Sequence, residues 1–436
     1  MFKHYLLLAL RNFKRFKNSL FINLTGLSTG LACTMLIFLW VNDELNMDSF
    51  HKKDARLYQV MEHQKYSDEI MTTTSTPGVL AETLKEEIPE VEFAATTTWV
   101  ESNTLTFGEN NIKAKGYHVG ADYFNIFSYG LIQGDPTQVL ADKSSIVISE
   151  DLANKLFGTY EGAVGKQIEF QHEKTFLVSG VFKGTPKQSS EQFDFVLSFE
   201  EYKDENEWVL SWGNNGPKTF IILREGSNPD EVDKKIADFI KGKNEESLVT
   251  LFLKRYSEKY LYGRYENGKP SGGRIEYVRL FSIIAVFILV IACINFMNLS
   301  TARASRRTKE VGIKKALGVK RGDLIGQFMG ESLLIAFISL CIALLLVWVA
   351  LPEFNTITDK QITLDFSLNQ FLGFLAITIL TGIISGSYPA LYLSSFQPVK
   401  VLKGELRTSL GELWVRRGLV IFQFALSVLL IVSVLV

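Results

Sequence analysis

The residue types that most often carry catalysis are thinly spread through this 436-residue chain. Its histidines, His4, His51, His63, His118 and His172, stand in no HExxH or other metal-ligand spacing, so no metal centre is expected. Ser144, Ser145 and Ser149 lie outside any GxSxG turn, which leaves them without the strained setting of a hydrolase nucleophile. The scattered carboxylates read as a solvated acidic face. No GxxxxGK[ST] phosphate loop occurs, so work driven by ATP would need an ATPase carried on another polypeptide. Glu331 sits at the edge of an apolar run, where it faces either a bundle interior or the headgroup region; a catalytic or ion-relay role for it is the minor alternative. No catalytic, cofactor-binding or metal residue is expected, and no cofactor bound by this chain.

What remains is charge and its pattern. The stretch RASRRTKEVGIKKALGVKRGDLIGQF, residues 303–328, holds eight basic residues between apolar runs. Arg303, Arg306, Arg307, Lys309, Lys314 and Lys315 surround a thin apolar set, Val311, Ile313, Ala316 and Leu317. Glu310 lies four residues from both Arg306 and Lys314, spacings worth a few tenths of a kcal/mol on a helix. Gly318 ends the run as a C-cap would. Positive-inside ballast explains the charge, and so does contact with anionic lipid at about 1 kcal/mol per basic residue. Neither explains Glu310, Gly312 and a small apolar face with a hard stop. A short amphipathic helix under the membrane, fitting a groove on a cytoplasmic partner, accounts for both.

The elements that place this helix are membrane spans. Crossing the hydrocarbon takes roughly 20 apolar residues, and buried backbone groups in lipid must pair internally. Uncharged runs predict helices over 20–41, 281–299, 333–351, 371–393 and 419–436, the last running to the final residue. The first lacks a small-x-small cleavage pattern and reads as a retained anchor rather than a signal peptide. Gly26 with Gly30, and Asn295 with Asn298, are spaced for close helix packing. Cys33, Cys293 and Cys341 all fall within predicted spans, so the exterior domain has no disulfide to form.

Basic flanks set the orientation. They precede the first span (1–19, an amphipathic lead-in) and fill 300–332 and 394–418, which places all three in the cytoplasm. The short 352–370 loop and the large 42–280 insert then lie outside. That insert carries 27 Lys and Arg against 39 Asp and Glu, a balance of −12, while the rest of the chain balances at +11. It mixes helix and strand signals: Leu80, Leu84 and Ile88 at helical spacing, a strand over 146–148 leading into a helix capped by Ser149 and ended by Gly158, and a helix with Asn228 as cap and Pro229 at its first position. An α+β module of two lobes is expected, followed by a Tyr- and Gly-rich loop over 260–280 that returns the chain to the membrane, with Tyr277 an interfacial or merely exposed ring.

RASRRTKEVGIKKALGVKRGDLIGQFMGES resembles the signature of FtsX-like and MacB-like permeases of ABC transporters, a basic stretch followed by E-[IV]-G-[IL]-[RK]-K-A-[LI]-G. Glu310, Gly312, Ile313, Lys315, Ala316, Leu317 and Gly318 match it, with Lys314 where the family usually has arginine. NFKRFKNSLFINLTGLSTGLA, DSFHKKDARLYQV, ADYFNIFSYGLIQGD, SSIVISEDLANKLFG and GIISGSYPALYLSSFQPVKVLKG resemble further blocks of the same family, so the likeness covers nearly the whole chain. It implies a helical bundle with a large two-lobed extracytoplasmic domain in the bacterial inner membrane. The 300–332 segment would be the coupling element, with Arg306 and Arg307 joining the motif residues in seating on an ATPase.

The implied activity is that of a non-catalytic permease subunit. It would convert ATP hydrolysis by a separate cytoplasmic ABC ATPase dimer, which uses ATP and Mg, into conformational work on a periplasmic substrate: export, or efflux of lipoprotein, peptide or drug by mechanotransmission. The alternative is a membrane-anchored regulator or scaffold acting on cell-envelope proteins. Implied partners are the lipid bilayer, a second permease half or a second copy and, for export, a periplasmic adaptor and outer-membrane channel; none is a nucleic acid. LRTSLGELWVRRGLVIFQFALSVLLIVSVLV repeats the basic lead and span of the amino terminus, as the start of a second half-transporter would.

Overall fold

The chain divides into two compact units, one formed by Met1–Asp43 with Val278–Val436, the other by Glu44–Tyr277. The computed structural model describes residues 17–302, 304–365, 367–396 and 410–435, apart from the side chains of 17–19, 304–307, 309, 410–413, 415, 416 and 433–435. Most of the lead-in expected over 1–19, and much of the loop expected over 394–418, therefore lie outside the described residues.

The first unit is helical. Among the described residues, Lys17–Leu45, Arg274–Ala302, Arg321–Thr358 and Leu368–Ser395 contain the four helices long and apolar enough to cross a membrane. They overrun the predicted spans at their ends because helix continues wherever backbone pairing does, past the last apolar residue. The fifth predicted span is helical over Leu410–Leu435, with an apolar stretch over Arg417–Val432 among the described residues.

Small residues let these helices approach. A Cβ built on Gly30 would stand 2.5 Å from the Ala292 Cβ, and one on Gly26 3.0 Å from Asn295 Nδ2. Gly382 and Gly386 meet Leu333 and Ser332 in the same way, each at 2.7 Å. Backbones this close gain dispersion along their length, the main source of helix association in lipid. Leu27, Leu31, Met35, Cys293, Phe296, Ala336 and Ala343 form the buried seam. Asn298 also lies on the second helix, with its Oδ1 buried. Lys360, in the connection after the third helix, closes an ion pair of 3.0 Å with Asp43 at the end of the first, both largely buried.

The second unit is α+β with two lobes on one continuous sheet. Its strands are β1 (Leu57–Tyr66), β2 (Glu69–Thr73), β3 (Val91–Thr97), β4 (Glu101–Phe107), β5 (Asn110–Val119), β6 (Leu131–Gln133), β7 (Ser145–Ser149), β8 (Gln167–Phe170), β9 (Lys174–Phe182), β10 (Phe195–Ser198), β11 (Lys218–Leu223) and β12 (Val249–Arg255). In one lobe β3, β11, β1 and β12 run in order, with β2 also on β1. Helices Leu80–Glu87 and Pro229–Ile236 cover that sheet through Leu80, Leu84, Val232 and Ile236. The other lobe closes on itself. Following β5, β10, β7, β9, β8 and β4 returns to β5, so each of these six strands has a neighbour on both sides, with β6 added outside the ring on β9. Leu105, Ile146, Ile148, Phe176, Val178 and Phe195 pack its inside.

An aromatic core joins the lobes: Tyr117, Tyr123, Phe127, Tyr129, Phe182, Phe193, Phe220 and Tyr256. The Tyr117 and Tyr123 hydroxyls bond each other, and Tyr129 Oη meets Ser189 Oγ at 3.1 Å, so the polar tips are satisfied where burial is complete. His51 lies against this cluster, its Nδ1 accepting the Ser128 N–H at 3.1 Å. Burial first, then the nearby Lys259 charge, lowers its pKa to about 3.

Local signals appear where the sequence places them. Ser149 Oγ accepts from Leu152 N–H, Gly158 closes that helix at φ +81°, and Asn228 Oδ1 accepts from Asp230 N–H. The 260–280 segment differs from the loop expected. It folds as a hairpin, β13 (Arg264–Glu266) and β14 (Lys269–Gly272), around Asn267–Gly268 at φ +48° and +77°. Asn-Gly favours this turn because both residues tolerate positive φ.

Candidate coupling surface

The basic stretch after the second long helix folds as a helix, Ala304–Ala316. Its end is built from named bonds. Gly318 N–H donates to Lys315 O at 3.0 Å and Val319 N–H to Lys314 O at 3.1 Å, with Gly318 at φ +94°. This pair of bonds is the Schellman arrangement, which needs a residue free to adopt the left-handed region. Two residues on, Asp323 Oδ2 accepts the Lys320 N–H at 3.3 Å, and Arg321–Thr358 begins. Val319 joins Val311, Leu324, Phe328, Ala390 and Leu393 in a small core, which fixes the short helix against the cytoplasmic ends of the third and fourth long helices.

Its two faces are unlike. Thr308 and Val311 are 1% and 2% exposed, and Gly312 is buried with them. Lys315 is on the same face, its Nζ donating to the Ser394 and Phe396 carbonyls at 2.7 and 2.8 Å. These belong to the end of Leu368–Ser395, where carbonyls lack helical partners and the dipole favours a cation. Lys314 Nζ donates to Glu310 Oε1 at 2.8 Å and Gln327 Oε1 at 3.1 Å, and Gln327 Nε2 donates to Glu331 Oε1 at 3.2 Å. Glu331 is thus held inside the bundle by a polar chain reaching back to the short helix. The opposite face turns out: Ile313 is 52% and Leu317 79% exposed, and Glu310, Ala316 and Gly318 are exposed beside them. Arg306 lies one turn earlier in helical spacing, while its side chain and that of Arg307 are outside the described set.

The residues singled out from sequence therefore separate by direction. Gly312, Lys315 and Val311 serve the protein's own packing, and Lys314 is half engaged in it. Glu310, Ile313, Ala316, Leu317 and Gly318 are turned outward. Periodicity alone could not make that division, because Val311 and Leu317 are equally apolar and Lys315 is as basic as its neighbours. Lys320, Arg321 and Gln327 were not singled out, and no motif in the sequence marks them. Among the described residues no group of three His, Cys, Asp or Glu side chains is placed to hold a metal ion.

Known proteins share this sequence pattern. A family model described as the MacB-like periplasmic core domain matches residues 20–239, and one described as the FtsX-like permease C-terminal region matches residues 282–398. The macrolide export ATP-binding/permease protein MacB of Neisseria meningitidis serogroup A is 25% identical over 313 residues, 71% of this chain and 46% of that protein. MacB of Shewanella oneidensis is 26% identical over 340 residues, 73% of this chain and 48% of that protein. The chain thus spans about half the length of the curated relatives it matches. Among solved structures, the periplasmic region of MacB from Actinobacillus actinomycetemcomitans aligns at 16% identity and a TM-score of 0.36 over 47% of this chain and 91% of that one. The extracellular domain of the noncanonic ABC-type transporter YknZ from Gram-positive bacteria aligns at 17% and 0.34 over 45% and 99%.

Proposed function

We propose that the chain, which belongs to the FtsX-like and MacB-like permease family, has a permease role in an ABC-type transport system and works by mechanotransmission. In this reading a separate cytoplasmic ABC ATPase dimer uses ATP and Mg and seats on the outward face of the Ala304–Ala316 helix. Closure of that dimer displaces the helix. Lys315 and the Val311–Val319–Leu324–Phe328–Ala390 core pass the displacement to the third and fourth long helices, since packed interfaces shift as units rather than deform. The first and second long helices lead into the two chain ends of the extracytoplasmic domain, whose change of shape does the work on a substrate. The macrolide export named for the relatives is one candidate cargo; lipoprotein and peptide are others.

One observation carries the reading. Leu317, the residue after the Ala304–Ala316 helix, is 79% exposed, while the helix's other face is fastened by the Lys315 bonds and a buried core. A large apolar side chain exposed on a backbone fixed by capping bonds, beside Ile313 and charged neighbours, has the anatomy of an interface anchor. The test is co-purification from native membranes. Leu317→Asp is expected to remove an ATP-binding polypeptide that the wild-type chain brings down, with membrane insertion and thermal stability unchanged. Retention of that polypeptide at wild-type yield would overturn the assignment.

A further inference from the structure

Glu44, in the last turn of the first long helix, is 1% exposed. Its carboxylate accepts from Arg274 Nε and Nη2, each at 3.2 Å, and from Tyr260 Oη at 3.1 Å. Arg274 is the first residue of the second long helix, and its guanidinium lies 4.7 Å above the Tyr260 ring. A two-pronged guanidinium on one carboxylate sets an angle as well as a distance. Within one unit, the residue where the chain arrives and the residue where it leaves are joined side chain to side chain, across 230 positions of sequence.

A second tie repeats the connection through a loop. Asp48 is fully buried at φ +59°, in the left-handed region that Asp enters more readily than most residues with a side chain. Its carboxylate accepts the Ser190 N–H at 2.8 Å and Ser190 Oγ at 2.6 Å, and its own N–H donates to Gln188 O at 2.8 Å. The next residue, Glu191, accepts from Lys218 Nζ at 3.1 Å and Lys259 Nζ at 3.3 Å. Lys259 directly precedes Tyr260. The arriving segment 44–48 and the departing segment 259–274 are therefore fastened twice, once directly and once through residues 188–191.

We propose that Glu44, Tyr260 and Arg274, backed by Asp48, Ser190, Glu191 and Lys259, form a clasp that makes the arriving and departing segments of the extracytoplasmic domain move as one. This rests on the reading that the first two long helices carry displacement to that domain. Two levers fixed to each other deliver a single rotation or shift; two independent levers deliver shear, which a packed aromatic core resists. The seven residues are positioning residues and touch no substrate.

The full chain in lipid nanodiscs tests this by backbone hydrogen exchange. With no partner present, Glu44→Gln is expected to raise exchange about tenfold or more in both segments 41–49 and 259–277. Glu191→Gln should do so more weakly, and the swapped pair Glu44→Arg with Arg274→Glu should recover protection. Unchanged exchange, a change confined to the substituted segment, or failure of the swap to recover protection overturns the clasp. Leu317→Asp is the control for the underlying reading: it should lose the ATPase and leave exchange at both segments as in wild type. With the ATPase and ATP added, the wild-type segments should change together and those of Glu44→Gln separately; if Glu44→Gln still changes in concert, the clasp is overturned. If ATP moves neither segment in wild type while the partner-free results hold, the displacement reading fails and the clasp stands.

Discussion

Lys315 Nζ lies 2.7 Å from the Ser394 carbonyl and 2.8 Å from that of Phe396, so a lysine from the family motif caps the end of the fourth long helix. Hydrogen bonds to a charged group are worth about 1.5–3 kcal/mol. Lys315→Met keeps the stem and removes the donors. It is expected to destabilise the full chain by about 2 kcal/mol in thermal unfolding in detergent, with part of that loss recovered by Lys315→Arg. Leu317→Asp should leave the same transition unmoved.

Gly318 is held at φ +94°, and a Cβ added there would meet nothing within 4 Å, so substitution is resisted by the backbone alone. Gly318→Ala is expected to cost about 1–2 kcal/mol. Gly326, inside the following helix at ordinary φ and equally open, should respond with opposite sign. Gly326→Ala is expected to gain about 0.5–1 kcal/mol by helix propensity. Paired unfolding curves check both.

Gly30 faces Ala292 at 2.5 Å for a built Cβ, whereas Gly330 has nothing within 4 Å. Gly30→Leu should force the first two helices apart and cost about 1–3 kcal/mol; Gly330→Leu should be close to neutral. Crosslinking of cysteines placed at Thr34 and Ala285, where Thr34 Oγ1 lies 3.4 Å from the Ala285 carbonyl, would report the separation directly, falling in Gly30→Leu and not in Gly330→Leu.

Glu62 on β1 is fully buried, its Oε2 accepting from Gln64 Nε2 at 2.9 Å and Asn215 Nδ2 at 2.5 Å. Burial raises its pKa to about 7, against the lowering effect of those two bonds. The folded state therefore holds a proton that the unfolded chain has released above about pH 4.5. This contribution to stability is fully present below that pH and is lost as pH rises through 7, a swing on the order of 3 kcal/mol. Glu62→Gln is expected to raise the melting temperature at pH 8 and change it little at pH 4.5. Equal effects at both pH values would contradict the placement.

Much of this was legible without coordinates. Four spans followed from uncharged length, their direction from Lys and Arg, and the caps at Ser149, Asn228 and Gly318 from residue type. What was not legible depended on distance in sequence. The closed barrel requires β10 to pair in parallel with β5, 79 positions away in the Phe195–Gly116 register, and short apolar strands do not state their partners. The inward turn of Lys315 depends on carbonyls near residue 394, and the clasp on Arg274 reaching Glu44. The hairpin at Asn267–Gly268 was readable from its turn residues and was hidden by the glycine and tyrosine content around it.

The most direct measurement concerns the outward face of the Ala304–Ala316 helix. A photo-crosslinking residue is placed singly at Ile313, Leu317 and Val311 in the full chain in native membranes. Adducts are then probed with azido-ATP and sequenced for a phosphate loop. Crosslinks to a phosphate-loop ATPase from positions 313 and 317, and none from 311, are the predicted result. No ATP-binding adduct at 317, or equal yield from 311, would contradict the account.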